Sequence, residues 1–138
     1  MKEWKKAESS FQKVLSIDPD SSEAHLGLSR CFLHWRMNKR AAEEALQSIG
    51  LLYFSPFAHF SLGIALHRLG HLPKAVEALK VAVSQSPGYA EAHKRLALIF
   101  EKRLNEPEKA AEHRRLADEA RKQKKEFRKA KLDRKSVV

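Results

Sequence analysis

The sequence predicts an all-α fold built from a stack of antiparallel helix pairs, and three observations predict it. The chain repeats itself at an interval of 34 residues, its apolar residues recur at helical spacing within each interval, and Pro, Gly and short polar residues gather at the joints. The period is read directly: Ala24, Ala58 and Ala92 align, as do His25, His59 and His93, and then Leu28, Leu62 and Leu96. Phe32, Leu66 and Phe100 keep the same interval. So do Ala7, Ala41 and Ala75, which Ala110 follows after a one-residue insertion.

Helices are expected over residues 2–17, 22–36, 39–52, 56–69, 73–85, 90–104 and 107–132, and no strand is required. In the first, Trp4, Ala7, Phe11 and Val14 share one face. The second carries Leu28, Cys31, Phe32 and Trp35 at i, i+3, i+4, i+7, and Asp20 with Glu23 resembles a capping box at its start. Ala41 marks the third. The fourth repeats the stripe as Leu62, Ala65, Leu66 and Leu69, opens on Pro56 in its first turn and stops at Gly70. The fifth opens on Pro73 and runs through Ala75, Ala78, Leu79, Ala82 and Val83. The sixth holds Ala92, Leu96 and Phe100, and Asn105 with Glu108 marks the start of the seventh. Small Ala at recurring positions lets paired helices approach while the large residues fill the space between them. Short connections make each pair antiparallel.

Composition bounds the function. At 138 residues the chain fits one compact domain, and one Cys cannot form an internal disulfide. No apolar run is long enough to span a membrane, and the charged start Met1-Lys2-Glu3-Trp4-Lys5-Lys6 lacks a signal-peptide core, which favours a cytoplasmic setting. The charge of +10 comes from 27 Lys and Arg against 17 Asp and Glu. Residues 121–135 hold nine basic residues and two acids, a net of +7, so the other 123 residues supply only +3. Basicity belongs to one terminal segment.

Motifs for catalysis are absent: no Gly-rich phosphate loop, no paired Cys motif and no His-Glu-x-x-His. The sequence therefore predicts no enzymatic activity, no metal site and no cofactor. The periodic His25, His59 and His93 would stand about a helix-packing distance apart, roughly 8–10 Å, too far to share an ion held at about 2.0–2.1 Å. They read as packing residues. His67 and His71 are separated by the stop at Gly70. Cys31 lies in an apolar stripe and reads as a buried thiol, and Trp4 and Trp35 read as core anchors.

These features together resemble the tetratricopeptide repeat family over roughly residues 2–120. The residues that carry the resemblance are Leu62-Gly63, Leu66, Ala75, Leu79, Ala82 and Pro87, with Trp4, Ala7, Phe11, Val14 and Pro19 matching the second helix of a unit whose first helix is absent. The resemblance implies a right-handed α-solenoid of about three units with a C-terminal capping helix. Its expected divisions are a half unit at 2–19 and units at 22–53, 56–87 and 90–120, within a domain at 1–120. A basic extension follows at 121–138. Departures are visible. The three histidines stand where the family often has Trp, Ser29 and Ala97 replace the small glycine seen at Gly63, Arg36 replaces a turn glycine, and Tyr53 replaces a closing proline. Arg114 stands where a large apolar residue normally packs. Starting on half a unit suggests a piece from the C-terminal end of a longer protein.

The resemblance implies that a peptide or helix of a protein partner docks on the concave face, lined by the first helix of each unit. The positions that map there include Leu26, Arg30, Phe57, Phe60, Ile64, Lys94 and Arg95, with Glu23, His34, Ser61, Arg68, Glu91 and Leu98 beside them. The family's clamp for acidic chaperone tails is incomplete, since Leu26, Ser61 and Glu91 occupy three of its places. The expected surface is an apolar centre of Phe57, Phe60 and Ile64 ringed by basic groups. An exposed terminal repeat also offers a route to oligomerisation. The alternative reading is an electrostatic adaptor that binds nucleic acid or an anionic membrane through the basic extension, or a regulatory segment of an enzyme whose catalytic domain lies elsewhere.

Overall fold

The computed structural model describes residues 2–136. Met1 of the expected 1–120 domain and residues 137–138 of the expected extension lie outside them. Seven helices follow in order: α1 Lys2–Ile17, α2 Ser22–His34, α3 Asn38–Leu51, α4 Pro56–Arg68, α5 Leu72–Gln85, α6 Ala90–Lys102 and α7 Pro107–Ser136. No strand occurs among the described residues. The chain divides into two compact units, Met1–Ser86 with α1–α5 and Pro87–Val138 with α6 and α7.

In the first unit α2 pairs with α3 and α4 with α5, while α1 packs on α2 and α3 on α4. Its core is Leu28, Phe32, Leu62 and a set of alanines, Ala41, Ala42, Ala45, Ala65 and Ala78, with Phe11, Leu15, Leu33, Trp35, Ile49 and Leu66 packed around them. The alanines bring the helices close enough for backbone to be reached by buried hydroxyls. Ser29 Oγ donates to Ala41 O at 2.8 Å, and Ser48 Oγ donates to Ser22 O at 2.9 Å. Both serines are therefore satisfied in the core. At Gly63, one repeat after Ser29, the approach is tighter, since a Cβ there would stand 2.6 Å from Leu79 Cγ. In the second unit α6 and α7 pack through Leu96, Ile99, Phe100, Ala110 and Ala117, all buried.

The caps correct two expectations. Ser21, not Asp20, is the N-cap of α2: its side chain accepts from Ala24 N at 3.2 Å, while Asp20 N–H donates to Asp18 Oδ1 in the preceding turn. Ser55 caps α4 in the same way, accepting from Ala58 N. Asn105 does not cap α7. It sits at φ +51, so the residue that tolerates the left-handed region is used to stop the chain after α6. Gly70 ends α4 at φ +83 as expected, and Arg36, one repeat earlier, is forced to φ +57. The seventh helix runs on to Ser136, beyond the expected 132, because nothing in its basic extension breaks it.

Candidate functional site

In the first unit α2 and α4 pack side by side and carry five of the expected recognition residues. Arg30 is exposed on α2 and Leu26 is half-buried. On α4, Phe57 in the first turn is 58% exposed, Phe60 is half-buried, and Ile64 is only 8% exposed. The gradient follows from α4 itself. Pro56 starts the helix at the surface, and successive turns carry residues 57, 60 and 64 inward along one side. Ser61 is also buried. Arg68, at the far end, is committed to structure: its Nη1 donates to Leu33 O at 2.9 Å and to Asn38 Oδ1 at 3.3 Å, bracing the α2–α3 turn.

The second unit places Lys94 and Arg95 on α6. Lys94 is exposed and lies 4.0 Å from Glu91. Arg95 is half-buried, and burial lowers its pKa from the usual value while the Glu91 carboxylate opposes the shift. Arg114, which stands where a large apolar residue normally packs, forms an ion pair with Glu101. Arg115 joins Glu112 and Glu119 along α7, and its hydrogen bonds hold the Glu112 carboxyl below its usual range. Arg121 lies 3.8 Å from Glu91.

One surface feature was not anticipated. The joint between α3 and α4 exposes Leu51, Leu52, Tyr53 and Phe54 next to Phe57. The signal was present in the sequence as the run of four large apolar residues Leu51-Leu52-Tyr53-Phe54 before Ser55-Pro56. An apolar run at a joint cannot be buried by the two helices it connects.

The histidines do more than fill space. His25, His59 and His93 each set Nε2 against the carbonyl six residues earlier, at Pro19, Tyr53 and Pro87, at 3.1, 3.0 and 2.9 Å. Each ring thereby ties the start of its helix to the joint before it. Among the described residues no group of three or more His, Cys, Asp or Glu could hold a metal ion. Cys31 is fully buried with Sγ 3.8 Å from Trp4 O, and burial, aided by the Glu8 charge, raises its pKa and keeps it a thiol. Trp4 stacks on His34 with centroids 4.4 Å apart, which anchors α1 to the end of α2.

Basic residues dominate the end of α7. Every residue from Arg121 to Lys135 is exposed, and the 30-residue helix is about 45 Å long. No helix among the described residues is long and apolar enough to cross a membrane.

A family model for the tetratricopeptide repeat matches residues 38–90 and again 60–125. Among solved structures, a crystal structure of MamA superposes with a TM-score of 0.78 at 24% identity, covering 86% of this chain and 69% of that one. The MamA protein of Desulfovibrio magneticus RS-1, from residue 41 onward, gives 0.77 at 24% identity over 88% and 68% of the two chains. No curated protein matches significantly in sequence. At this level of identity the likeness is one of fold.

Proposed function

This chain belongs to the tetratricopeptide repeat family, and from that premise we propose that it is a protein-interaction module. It holds a peptide or helix of a protein partner against the first helices of its units. The repeats of residues 1–120 supply the recognition surface, and 121–138 is a basic extension of them. The observation that carries this reading is the pairing on α2 and α4 of a large exposed aromatic, Phe57, with a half-buried Phe60 and Leu26 and the exposed Arg30. Aromatic and Arg side chains supply most of the affinity in protein interfaces, and a rigid helical scaffold presents them without an ordering cost. Ile64 lies on the same side of α4 as the two phenylalanines and is nearly buried. Lys94 and Arg95 are the proposed basic contacts on α6.

The test is affinity capture with the wild type and a Phe57→Ala/Phe60→Ala variant side by side. Specific partners should be lost from the variant while its circular dichroism keeps the helical signal. A variant that loses the helical signal would place Phe60 in the core and remove the reading.

The uninterrupted exposure of residues 121–135, with nine basic groups against two acidic ones, favours a second activity through the extension. Phosphate neutralisation by this helix would bind nucleic acid without base readout, and its apolar side, Phe127, Ala130 and Leu132, is too thin for firm membrane insertion. Ending the chain after Arg121 should then abolish a binding that also falls steeply with salt.

A further inference from the structure

The three equivalent histidines differ at one atom. Each holds the joint carbonyl through Nε2, and in two of the three Nδ1 meets a side chain of the second helix of the pair. In the first pair Nδ1 of His25 meets Glu44 Oε2 at 2.7 Å. At the C-terminal end Nδ1 of His93 meets Nδ1 of His113 at 3.1 Å. The position that supplies this partner is 44, then 78 one period later, then 113 after the inserted residue. At 78 the residue is alanine. His59 is 4% exposed, and among the described residues its one hydrogen bond is that from Nε2 to Tyr53 O. Nδ1 of a nearly buried imidazole is thus left without a protein partner.

What replaces the missing side chain is a cavity. A groove of about 380 Å³ lies over α4, with His59 in its floor, Leu46 and Ile49 of α3 on one wall and Val81 of α5 on the other. That volume lies within the range of small-ligand sites, about 300–1,000 Å³. Lys74 and Glu77 are exposed at its rim. Nδ1 is not sealed in the core but opens on the groove, where a polar group of an occupant can reach it as Glu44 reaches His25.

We propose that this groove binds a small apolar monocarboxylic acid, whose carboxyl group meets His59 Nδ1 as Glu44 meets His25 and whose apolar body lies along Leu46, Ile49 and Val81. The molecule itself supplies the model for the contact, because the first helix pair builds in covalently the group that the second lacks. Lys74 at the rim adds a favourable charge for an anion. The site is separate from the proposed recognition surface: residues 59, 62 and 66 lie on one side of α4 and residues 57, 60 and 64 on the opposite side. Neither reading therefore depends on the other, and the Phe57→Ala/Phe60→Ala variant should bind the acid as the wild type does.

The probe is octanoate, titrated calorimetrically into the full chain, with 1-octanol and acetate as controls. Octanoate should saturate one site and bind at least tenfold tighter than either control, since octanol lacks the carboxyl group and acetate lacks the apolar body. Ala78→Glu, which installs the internal carboxylate of the first pair, should weaken octanoate at least tenfold without lowering the melting temperature. Lys74→Gln, an exposed change, should weaken it severalfold. Equal binding of octanol and octanoate would overturn the proposal, as would undiminished octanoate binding by Ala78→Glu or the absence of saturation. An unfolded Ala78→Glu would overturn it too, because the groove would then lack the room and the partner it is said to offer.

Discussion

Between Ser22 and Gln85 every helix buries a stripe of its surface, whereas from Arg121 to Lys135 α7 exposes every side chain. Both regions are helical, and the contrast separates two causes of helicity. In the paired helices tertiary packing dominates: alanines at fixed positions close the gap, and Phe32, Leu62 and Leu79 fill it. Propensity alone would leave helices of 13 or 14 residues marginal in water. The end of α7 has no such packing. It is carried by Lys, Arg, Gln, Glu and Ala, all good helix formers, and by continuity with the packed first half of the same helix.

The largest effect that would sharpen this contrast is a cavity in the packed region. Leu79 is fully buried and lies against Gly63, so Leu79→Ala should cost about 2–5 kcal/mol in chemical denaturation. Phe127→Ala, at a residue 70% exposed, should change the midpoint by no more than about 0.5 kcal/mol. Comparable losses at both positions would mean that the end of α7 has a packing partner in solution.

The same contrast explains what could be read in the sequence. All seven helices and their pairing were legible because the apolar period, the alanine positions and the 34-residue interval report packing directly. The exposed length of α7 was underestimated by four residues, since propensity without periodicity marks no end. The helix caps were misread at Asp20 and Asn105: Ser21 and Asp20 are adjacent polar residues, and only backbone geometry decides which faces the helix. The expected recognition residues were legible as positions on first helices but not as surface. The burial of Ile64 and the commitment of Arg68 to the α2–α3 turn depend on three-dimensional neighbours that spacing does not encode. The unmatched His59 was hidden for the opposite reason. Its partner is missing, and an alanine in a helix gives no sign of what it fails to supply.

A smaller effect probes the joints within the packed region. Arg36 and Gly70 are equivalent, one period apart, and both lie in the left-handed region at φ +57 and +83. The strain on a residue with a Cβ is about 1–2 kcal/mol there, partly offset by the greater freedom of Gly in the unfolded chain. Arg36→Gly should therefore raise stability by about 0.5–1 kcal/mol, and Gly70→Arg should lower it by a similar amount. A loss on Arg36→Gly would show that the arginine side chain contributes more at the joint than its backbone costs.

The smallest effect on stability should come from the largest change in sequence. Ending the chain after Arg121 removes eight of its Lys and Arg residues yet no buried side chain among those described, and it keeps the exposed Arg121–Glu91 pair. Pairs of that kind are worth about 0–1 kcal/mol. The denaturation midpoint should stay within about 0.5 kcal/mol of the full chain, while the helical signal falls by the share of α7 removed. Losing so much like charge also relieves self-repulsion, so at low salt the shortened chain should gain slightly relative to the full one, and the difference should shrink as salt is added. A substantial loss of stability would instead require the extension to fold back on the packed region, and the distinction between a helix held by its neighbours and one held by its own backbone would fail.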